Sequence, residues 1–297
     1  MDILSNRRSI PTTEELLPIL FNEGNAKCYL IENNIIQSVM LCNNYGKTIS
    51  ANLERECFRH RFSGRQVEKS IWSHTLFARS NLRPSQVLHF AHLWLSGATQ
   101  TVIAILTGHS SKTVSNFAAE FNQLVAHEIE ESSCVVGGEG IVVEIDETKF
   151  GKRKNNRGHH VDGVWVVVGV ERTLERRMFA VPVQNRNEAT LYEVISNHVR
   201  PGSIIHTDCW RGYSFLRHID EVEHLTVNHS QTFRDPVTGV HTNTVEGTNF
   251  ALKRWIPVRN RTENDLGPRL FSFIWNRQHD NSLWMPLLGA MSRVPYE

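Results

Sequence analysis

Three carboxylates at the ends of apolar runs are the residues of this sequence best suited to chemistry. Asp146 ends the run 141–146, Asp208 ends the run 203–208, and Glu246 stands at the start of a segment with helical character. Mg²⁺ prefers oxygen ligands such as these. Two such ions roughly 3.5–4 Å apart can serve phosphoryl transfer. The pattern therefore predicts a metal-dependent site for phosphoryl transfer.

Single acidic residues after strands are more often turn or cap residues, so each carboxylate alone is weak support. All three together, each in its own local context, favour a site. Glu144 is expected to share a strand face with Asp146 and to support it, whereas Glu147 should point to the opposite face.

Composition places the chain among ordinary globular proteins. Of its 297 residues, 40% are hydrophobic and 21% are charged, and the net charge is +1, so any strongly basic surface must be local. Five scattered cysteines argue against a disulfide framework. With no membrane-length apolar run and no apolar signal segment, an intracellular location is expected: the nucleus if the host is eukaryotic, otherwise the cytoplasm.

The first of three predicted regions is residues 1–65, which are mixed in character. Cys28, Cys42, Cys57 and His60 could supply the four ligands of a degenerate zinc-ribbon-like site. However, the paired cysteines of a zinc knuckle are absent, so free cysteines without metal are the favoured interpretation and zinc the alternative.

The second region, residues 66–135, is expected to be helical. An apolar stripe covers 85–95, and a helix over 111–130 should follow a turn at Gly108. Two helices around a glycine turn fit a helix-turn-helix that reads DNA. Plain helix packing fits equally well, and the sequence leaves both open.

The third region, residues 136–285, alternates strands and helices. Its class is therefore α/β, with a mixed five-stranded sheet flanked by helices and preceded by the mainly helical N-terminal region. The predicted strands are 141–146, 163–170, 177–183, 203–207 and 224–227, and the predicted helices are 188–199, 246–255 and 263–277.

Several motifs of this region resemble those of one family. They lie at 143–153, 163–166, 201–203, 207–213, 227–230, 238–247 and 252–254. Their order and spacing are similar to those of the DDE transposases of the Merlin superfamily and the related bacterial insertion-sequence (ISXO2-like) transposases. The resemblance covers about residues 140–256.

The resemblance implies an RNase H-like fold in which Asp146, Asp208 and Glu246 form the catalytic, metal-binding triad. It implies a DNA transposase that cleaves and transfers DNA strands with two Mg²⁺ (or Mn²⁺) ions. The expected partners are transposon ends and target DNA, with a homo-oligomer assembled on the DNA and no membrane. The alternatives are a domesticated transposase-derived DNA-binding protein and an RNase H-like nuclease without strand transfer.

Basic residues near the triad are candidates for phosphate contacts, with solvated surface loops as the alternative. They are Lys149, Lys152, Arg153, Lys154, Arg157, Lys253 and Arg254.

Aromatic and histidine side chains near the triad leave further alternatives open. Trp210 and Tyr213 could stack on a frayed base, although core packing is at least as consistent with the sequence. His229 and His241 could orient the scissile phosphate or support the carboxylates.

Overall fold

The computed structural model describes residues 10–42, 46–62, 65–78, 80–129, 134–151, 163–229, 234–236, 238–279, 281–294 and 296. These residues form two compact units. One comprises Met1–Glu128 with His279–Glu297, and the other is Ile129–Gln278; the sequence had placed the corresponding catalytic region at 136–285. Within the described ranges, every helix is too short or too polar to cross a membrane.

The first unit combines helices with an antiparallel sheet. Thr12 and Glu15 form a reciprocal capping box at the start of its first helix. The elements are α1 (Thr13–Leu20), α2 (Glu23–Glu32), β1 (Val39–Leu41), β2 (Thr48–Asn52), β3 (Cys57–Phe62), β4 (Arg65–Ser70), α3 (Pro84–Leu95), α4 (Gln100–Thr107), α5 (Ser111–Glu128) and, near the C-terminus, α9 (Trp284–Arg293). The strands pair in the order β1-β2-β3-β4.

The expected zinc ligands lie on or beside this sheet. Cys42 and Cys57 are buried and Cys28 is exposed, while His60 lies on β3. Across the described ranges, no group of three or more His, Cys, Asp or Glu side chains is arranged to hold a metal. Zinc binding by these residues stays a prediction.

Helices α4 and α5 form the expected pair around a glycine turn. Gly108 ends α4 in the left-handed conformation at φ 69°, a conformation that glycine adopts without strain. The Ser110 hydroxyl accepts the Thr113 backbone N–H at 3.1 Å and so caps α5. Val114 and Phe117 are among the buried residues of α5. Whether this pair reads DNA stays a prediction.

The second unit is built on a five-stranded mixed sheet, as the sequence predicted. Its elements are β5 (Val136–Gly137), β6 (Val142–Phe150), β7 (Val164–Glu171), β8 (Met178–Val183), α6 (Glu188–His198), β9 (Val199–Arg200), β10 (Ile204–Asp208), β11 (Glu223–Val227), α7 (Asn243–Trp255) and α8 (Glu263–Gln278), with 3₁₀ helices at Arg211–His218 and Val258–Asn260.

The large sheet has the strand order β11-β10-β6-β7-β8. Strands β6, β7 and β8 form an antiparallel meander, whereas β10 runs parallel to β6 and β11 parallel to β10. These are the order and directions of an RNase H-like sheet, so the expected fold class is confirmed. The small strands β5 and β9 pair separately.

The apolar run of β7 explains why this strand lies near the middle of the sheet. Val166, Val167, Val168 and Val170 are all fully buried, as expected for a strand covered on both faces. Along its neighbour β6, Val143 and the other odd-numbered positions face one side of the sheet and the even-numbered positions face the other. That alternation puts Asp146 on the face covered by α7.

Candidate active site

Parallel pairing of β6 and β10 brings Asp146 and Asp208 to neighbouring positions. His206 pairs with Glu144 across the two strands. Asp208 lies two residues after His206, and Asp146 lies two residues after Glu144. Because side chains two apart along a strand share a face, both carboxylates lie on the same side of the sheet. Asp208 also accepts the Trp210 backbone N–H at 2.9 Å, which turns the chain directly after β10.

Glu144 fixes the N-terminus of α7 over this face. Its buried carboxylate accepts the backbone N–H groups of Thr244 at 2.7 Å and Val245 at 3.0 Å, and the Thr244 hydroxyl at 2.9 Å. The two backbone donors are among the N–H groups that the start of a helix leaves without a partner inside the helix. Arg172 supplies an ion pair on the outer side of the same carboxylate. The expectation that Glu144 supports Asp146 thus takes a specific form, since it docks the helix that carries Glu246.

A second contact ties α7 to β6. The Asn249 side chain donates from Nδ2 to Asp146 Oδ2 at 2.8 Å. Asn249 lies three positions after Glu246, so both side chains lie on the same side of the helix. The structure therefore brings Glu246 to the face that carries the two aspartates.

The Glu246 carboxylate is half-exposed and is oriented by two polar neighbours. Thr242 donates its hydroxyl to Glu246 Oε1 at 2.9 Å. His229 Nε2 lies 3.4 Å from the same oxygen and 2.8 Å from the Thr242 hydroxyl. His241 instead lies near Glu144, with Nδ1 3.4 Å from Oε1. Both histidines therefore contact carboxylates, one of the two roles that the sequence left open.

Burial and nearby negative charges perturb the central carboxylate. Burial raises the pKa of Asp146 to about 6, and the negative charges of Asp208 and Glu246 raise it in the same direction. The Asn249 hydrogen bond acts against this rise. These influences agree with the strand register and the Asn249 contact, which bring the three acids to one face of the sheet, where a cation would relieve their repulsion.

The donor set fits a hard divalent cation. All three acids offer oxygen ligands, and Asn249 Oδ1 is a further buried oxygen for which the described atoms supply no hydrogen-bond partner. Among the described side chains, however, no group of three or more His, Cys, Asp or Glu residues is arranged to hold a metal ion.

The opposite face of β6 carries a different cluster, as expected for Glu147. Arg186 forms an ion pair with Glu147 at 3.6 Å and lies over the rings of Trp165 at 4.6 Å and Trp210 at 4.2 Å. Tyr213 is only 2% exposed, which excludes base stacking by this residue and assigns it to the core. Trp210 is 40% exposed and stays available.

The structure describes three of the seven basic residues that the sequence predicted to contact DNA. Lys149 lies over the Trp165 ring, with Nζ 5.3 Å from the centroid. Lys253 is close enough to Asp146 for their charges to interact, and Arg254 is exposed. Four expected contacts lie outside the described residues: Lys152, Arg153, Lys154 and Arg157.

Comparison with known proteins bears on the same part of the chain. Residues 135–261 match the family model described as the ISXO2-like transposase domain. This segment is similar to insertion-sequence transposases. The expected family resemblance is thereby confirmed for the transposase-like segment, which contains all three carboxylates and less than half of the chain.

One curated relative and two solved structures are similar in part. An uncharacterized transposase-like protein of Haemophilus influenzae is 37% identical over 59 residues, which is 20% of this chain and 47%, about half, of the relative. A chain of the Mos1 strand transfer complex has a TM-score of 0.23 and 12% identity, covering 96% of this chain and 99% of that one. A chain of the pre-cleavage Mos1 transpososome has a TM-score of 0.20 and 10% identity, and the match covers 97% of this chain and 100% of that one.

Three supporting residues of the transposase-like segment escaped the sequence interpretation. Asn249 could have been found from its spacing after Glu246 on a helix. Arg172 and Thr242 carried no comparable signal, since their roles depend on contacts between elements far apart in the chain.

Asn249→Ala in this segment is expected to weaken divalent-metal binding by about 10–100-fold, the usual effect of removing a partner of a metal ligand. Because the lost hydrogen bond lowers the pKa of Asp146, the pH midpoint of metal binding should also move upward. Mn²⁺ titrations at several pH values measure both changes. The exposed Asn197→Ala should behave as wild type, and an unchanged midpoint for Asn249→Ala would contradict the role of this contact.

Proposed function

We propose that the chain is a DNA transposase that cleaves DNA strands and joins the freed ends to target DNA. The proposal is supported by a segment that matches a transposase domain and that carries Asp146, Asp208 and Glu246 on one face of its sheet. Transposase-like character rests on that match, whereas the chemistry at the three carboxylates is our inference.

Asp146, Asp208 and Glu246 would hold the two Mg²⁺ or Mn²⁺ ions. When bound, such ions activate the attacking oxygen and stabilise the leaving oxygen in phosphoryl transfer. In-line phosphoryl transfer depends mainly on positioning and charge.

The protein's own contribution is then to hold its groups in place. Asn249 orients the Asp146 carboxylate through its 2.8 Å hydrogen bond. Thr242 and His229 orient Glu246. Glu144 keeps the helix of Glu246 on the strand of Asp146.

DNA would lie along the carboxylate face and be held by basic side chains. Lys253 is placed to contact a phosphate near Asp146, since their charges already interact. Lys149 and Arg254, with the four basic residues of the 152–157 segment, are proposed as further phosphate contacts. Contacts of this kind set affinity and position without reading sequence. Pairing of two transposon ends would require at least a homodimer on the DNA.

The deciding experiment incubates the purified chain with labelled DNA that carries the terminal repeats flanking its gene, together with Mg²⁺ or Mn²⁺ and a supercoiled target plasmid. A transposase will nick the repeat ends and join them to the plasmid. Nicking without joining would favour an RNase H-like nuclease. DNA binding without nicking under either metal would favour a domesticated DNA-binding protein and overturn the proposal.

A further inference from the structure

Helix α7 exposes an aromatic side chain beside the candidate active site. Phe250 is 70% exposed, although four other side chains of the same helix are buried: Val245, Thr248, Asn249 and Leu252. Single exposed apolar side chains are common on protein surfaces, so exposure alone assigns no role to this ring. Its position relative to the carboxylates is what distinguishes it.

The geometry of the helix places Phe250 next to Glu246. Residues four apart lie on one side of a helix, with their Cβ atoms roughly 5–6 Å apart. Long side chains also lean toward the N-terminus of their helix, so the Phe250 ring leans toward the turn that carries Glu246. That turn is open, since a Cβ added at Gly247 would meet no other side chain within 4 Å.

Two neighbours on α7 show on which side of Glu246 the ring lies. At about 100° per residue, Asn249 and Lys253 lie about 60° and 20° to one side of Glu246 around the helix axis. Asn249 donates a hydrogen bond to Asp146, and the charge of Lys253 interacts with the same carboxylate. Phe250 lies about 40° to the other side. A strand held between Asp146 and Glu246 would therefore leave toward solvent over Phe250.

The exposed strip around Phe250 suits a nucleotide. Asn243 lies about two turns before the ring and Arg254 about one turn after it, and both side chains are exposed. Glu246 is the only acid among the residues of α7, all of which the structure describes. An aromatic ring can stack on a base while a guanidinium group beside it contacts a phosphate. A ring set among an amide, a carboxylate and a guanidinium fits this polar ligand better than an apolar partner.

We propose that Phe250 stacks on an unpaired base of the nucleotide next to the phosphate held at the carboxylates, and that Arg254 contacts the following phosphate. Every base has a π face, so stacking of this kind tolerates any sequence. The contact would position the end of the strand without reading it. This inference rests on the proposed function and deepens it, because it requires a substrate whose base has left the duplex stack near the cleaved bond.

The test uses pairs of labelled terminal-repeat duplexes that carry, at one position near the repeat end, either a mismatched base or no base. Binding is measured in Ca²⁺, a cation that takes oxygen ligands. At one position the wild type should bind the duplex with the base about tenfold more tightly, as expected for one base–aromatic stack. Phe250→Ala should bind both members of that pair equally. Phe250→Trp should restore the difference, whereas Phe250→Leu, which is apolar without a ring, should not.

The matched control is Phe21→Ala. It removes a similarly exposed ring, at 65%, from the other unit and should keep the wild-type difference within the pair. Thermal melting checks that every variant is folded.

Three results would overturn the stacking contact. The first is equal affinity of the wild type for both members of every pair. The second is a difference that persists in Phe250→Ala. The third is a loss of affinity in Phe250→Ala that is the same with and without the base, because such a loss would assign Phe250 to the fold or to the DNA backbone.

Cleavage of unmodified repeat ends by the wild type in Mg²⁺, assayed in parallel, separates this inference from the proposed function. Cleavage together with any of those three results would remove only the stacking contact. A base-dependent difference that Phe250→Ala abolishes, without cleavage by the wild type, would remove only the catalytic proposal.

Discussion

Replacing Asp146 by Asn will stabilise the metal-free protein and abolish DNA cleavage. Raising the pKa of Asp146 from 3.8 to about 6 corresponds to a destabilisation of roughly 3 kcal/mol when the group is ionised. Asparagine removes the charge and keeps an oxygen that can accept the Asn249 hydrogen bond. We expect a gain of about 1–3 kcal/mol in the free energy of unfolding and a loss of cleavage of about a thousandfold or more.

The gain has a defined pH dependence. Between about pH 4 and 6 the folded state binds more protons at Asp146 than the unfolded state, so the stability of the wild type falls as pH rises. The penalty is fully present above pH 6 and absent well below pH 4. The advantage of Asp146→Asn should therefore grow across this window and then become constant.

Urea denaturation at several pH values, in the presence of a chelator, measures this advantage. Asp220→Asn, an exposed aspartate in the turn before β11, is the matched control and should change neither stability nor cleavage. A lower stability of Asp146→Asn at pH 8, or cleavage near the wild-type rate, would contradict the role assigned to this residue.

Replacing Glu144 by Ala will strongly lower the free energy of unfolding. The side chain is fully buried and accepts hydrogen bonds from Thr244, Val245 and Arg172. Its removal leaves the half-buried Arg172 guanidinium without its carboxylate and the start of α7 without its acceptor. Removing one member of a buried ion pair costs about 3–5 kcal/mol, and the partial exposure of Arg172 places the expected cost at about 3 kcal/mol.

Glu144→Gln separates the charge from the shape of this side chain. Glutamine keeps one oxygen acceptor for α7 and loses the ion pair, so its cost should fall between those of the wild type and Glu144→Ala. Cleavage should fall in the same order, because α7 carries Glu246. The exposed Glu175→Ala in the turn after β7 controls for loss of a surface acid. A cost below about 1 kcal/mol for Glu144→Ala would show that the contact does not hold the helix.

Local patterns were sufficient to predict the large sheet. The apolar run of β7 specifies a buried strand, and β6 is marked by Val143 and Ile145 alternating with acidic residues. The helix between β8 and β10 makes the parallel pairing of β6 with β10 possible. The positions of Asp146 and Asp208 follow from those two strands.

Contacts between distant parts of the chain could not be predicted in the same way. Glu144 meets α7 across about a hundred residues, and no local signal marks it as a helix cap. The sheet of the first unit was also missed, because β3 and β4 read as polar segments, CFRHRF and RQVEKS. They pair through the backbone and through cross-strand contacts such as Arg59 with Glu68, 3.8 Å apart, which periodicity of apolar residues does not reveal.

The most direct test of the carboxylate site is a Mn²⁺ titration followed by electron paramagnetic resonance at pH 7.5. Wild type should bind the ion, and Asp146→Asn, Asp208→Asn and Glu246→Gln should each weaken binding at least about tenfold, while the exposed Glu193→Gln should not. Equal Mn²⁺ affinity in the wild type and all three triad variants would contradict the claim that these carboxylates hold the metal together.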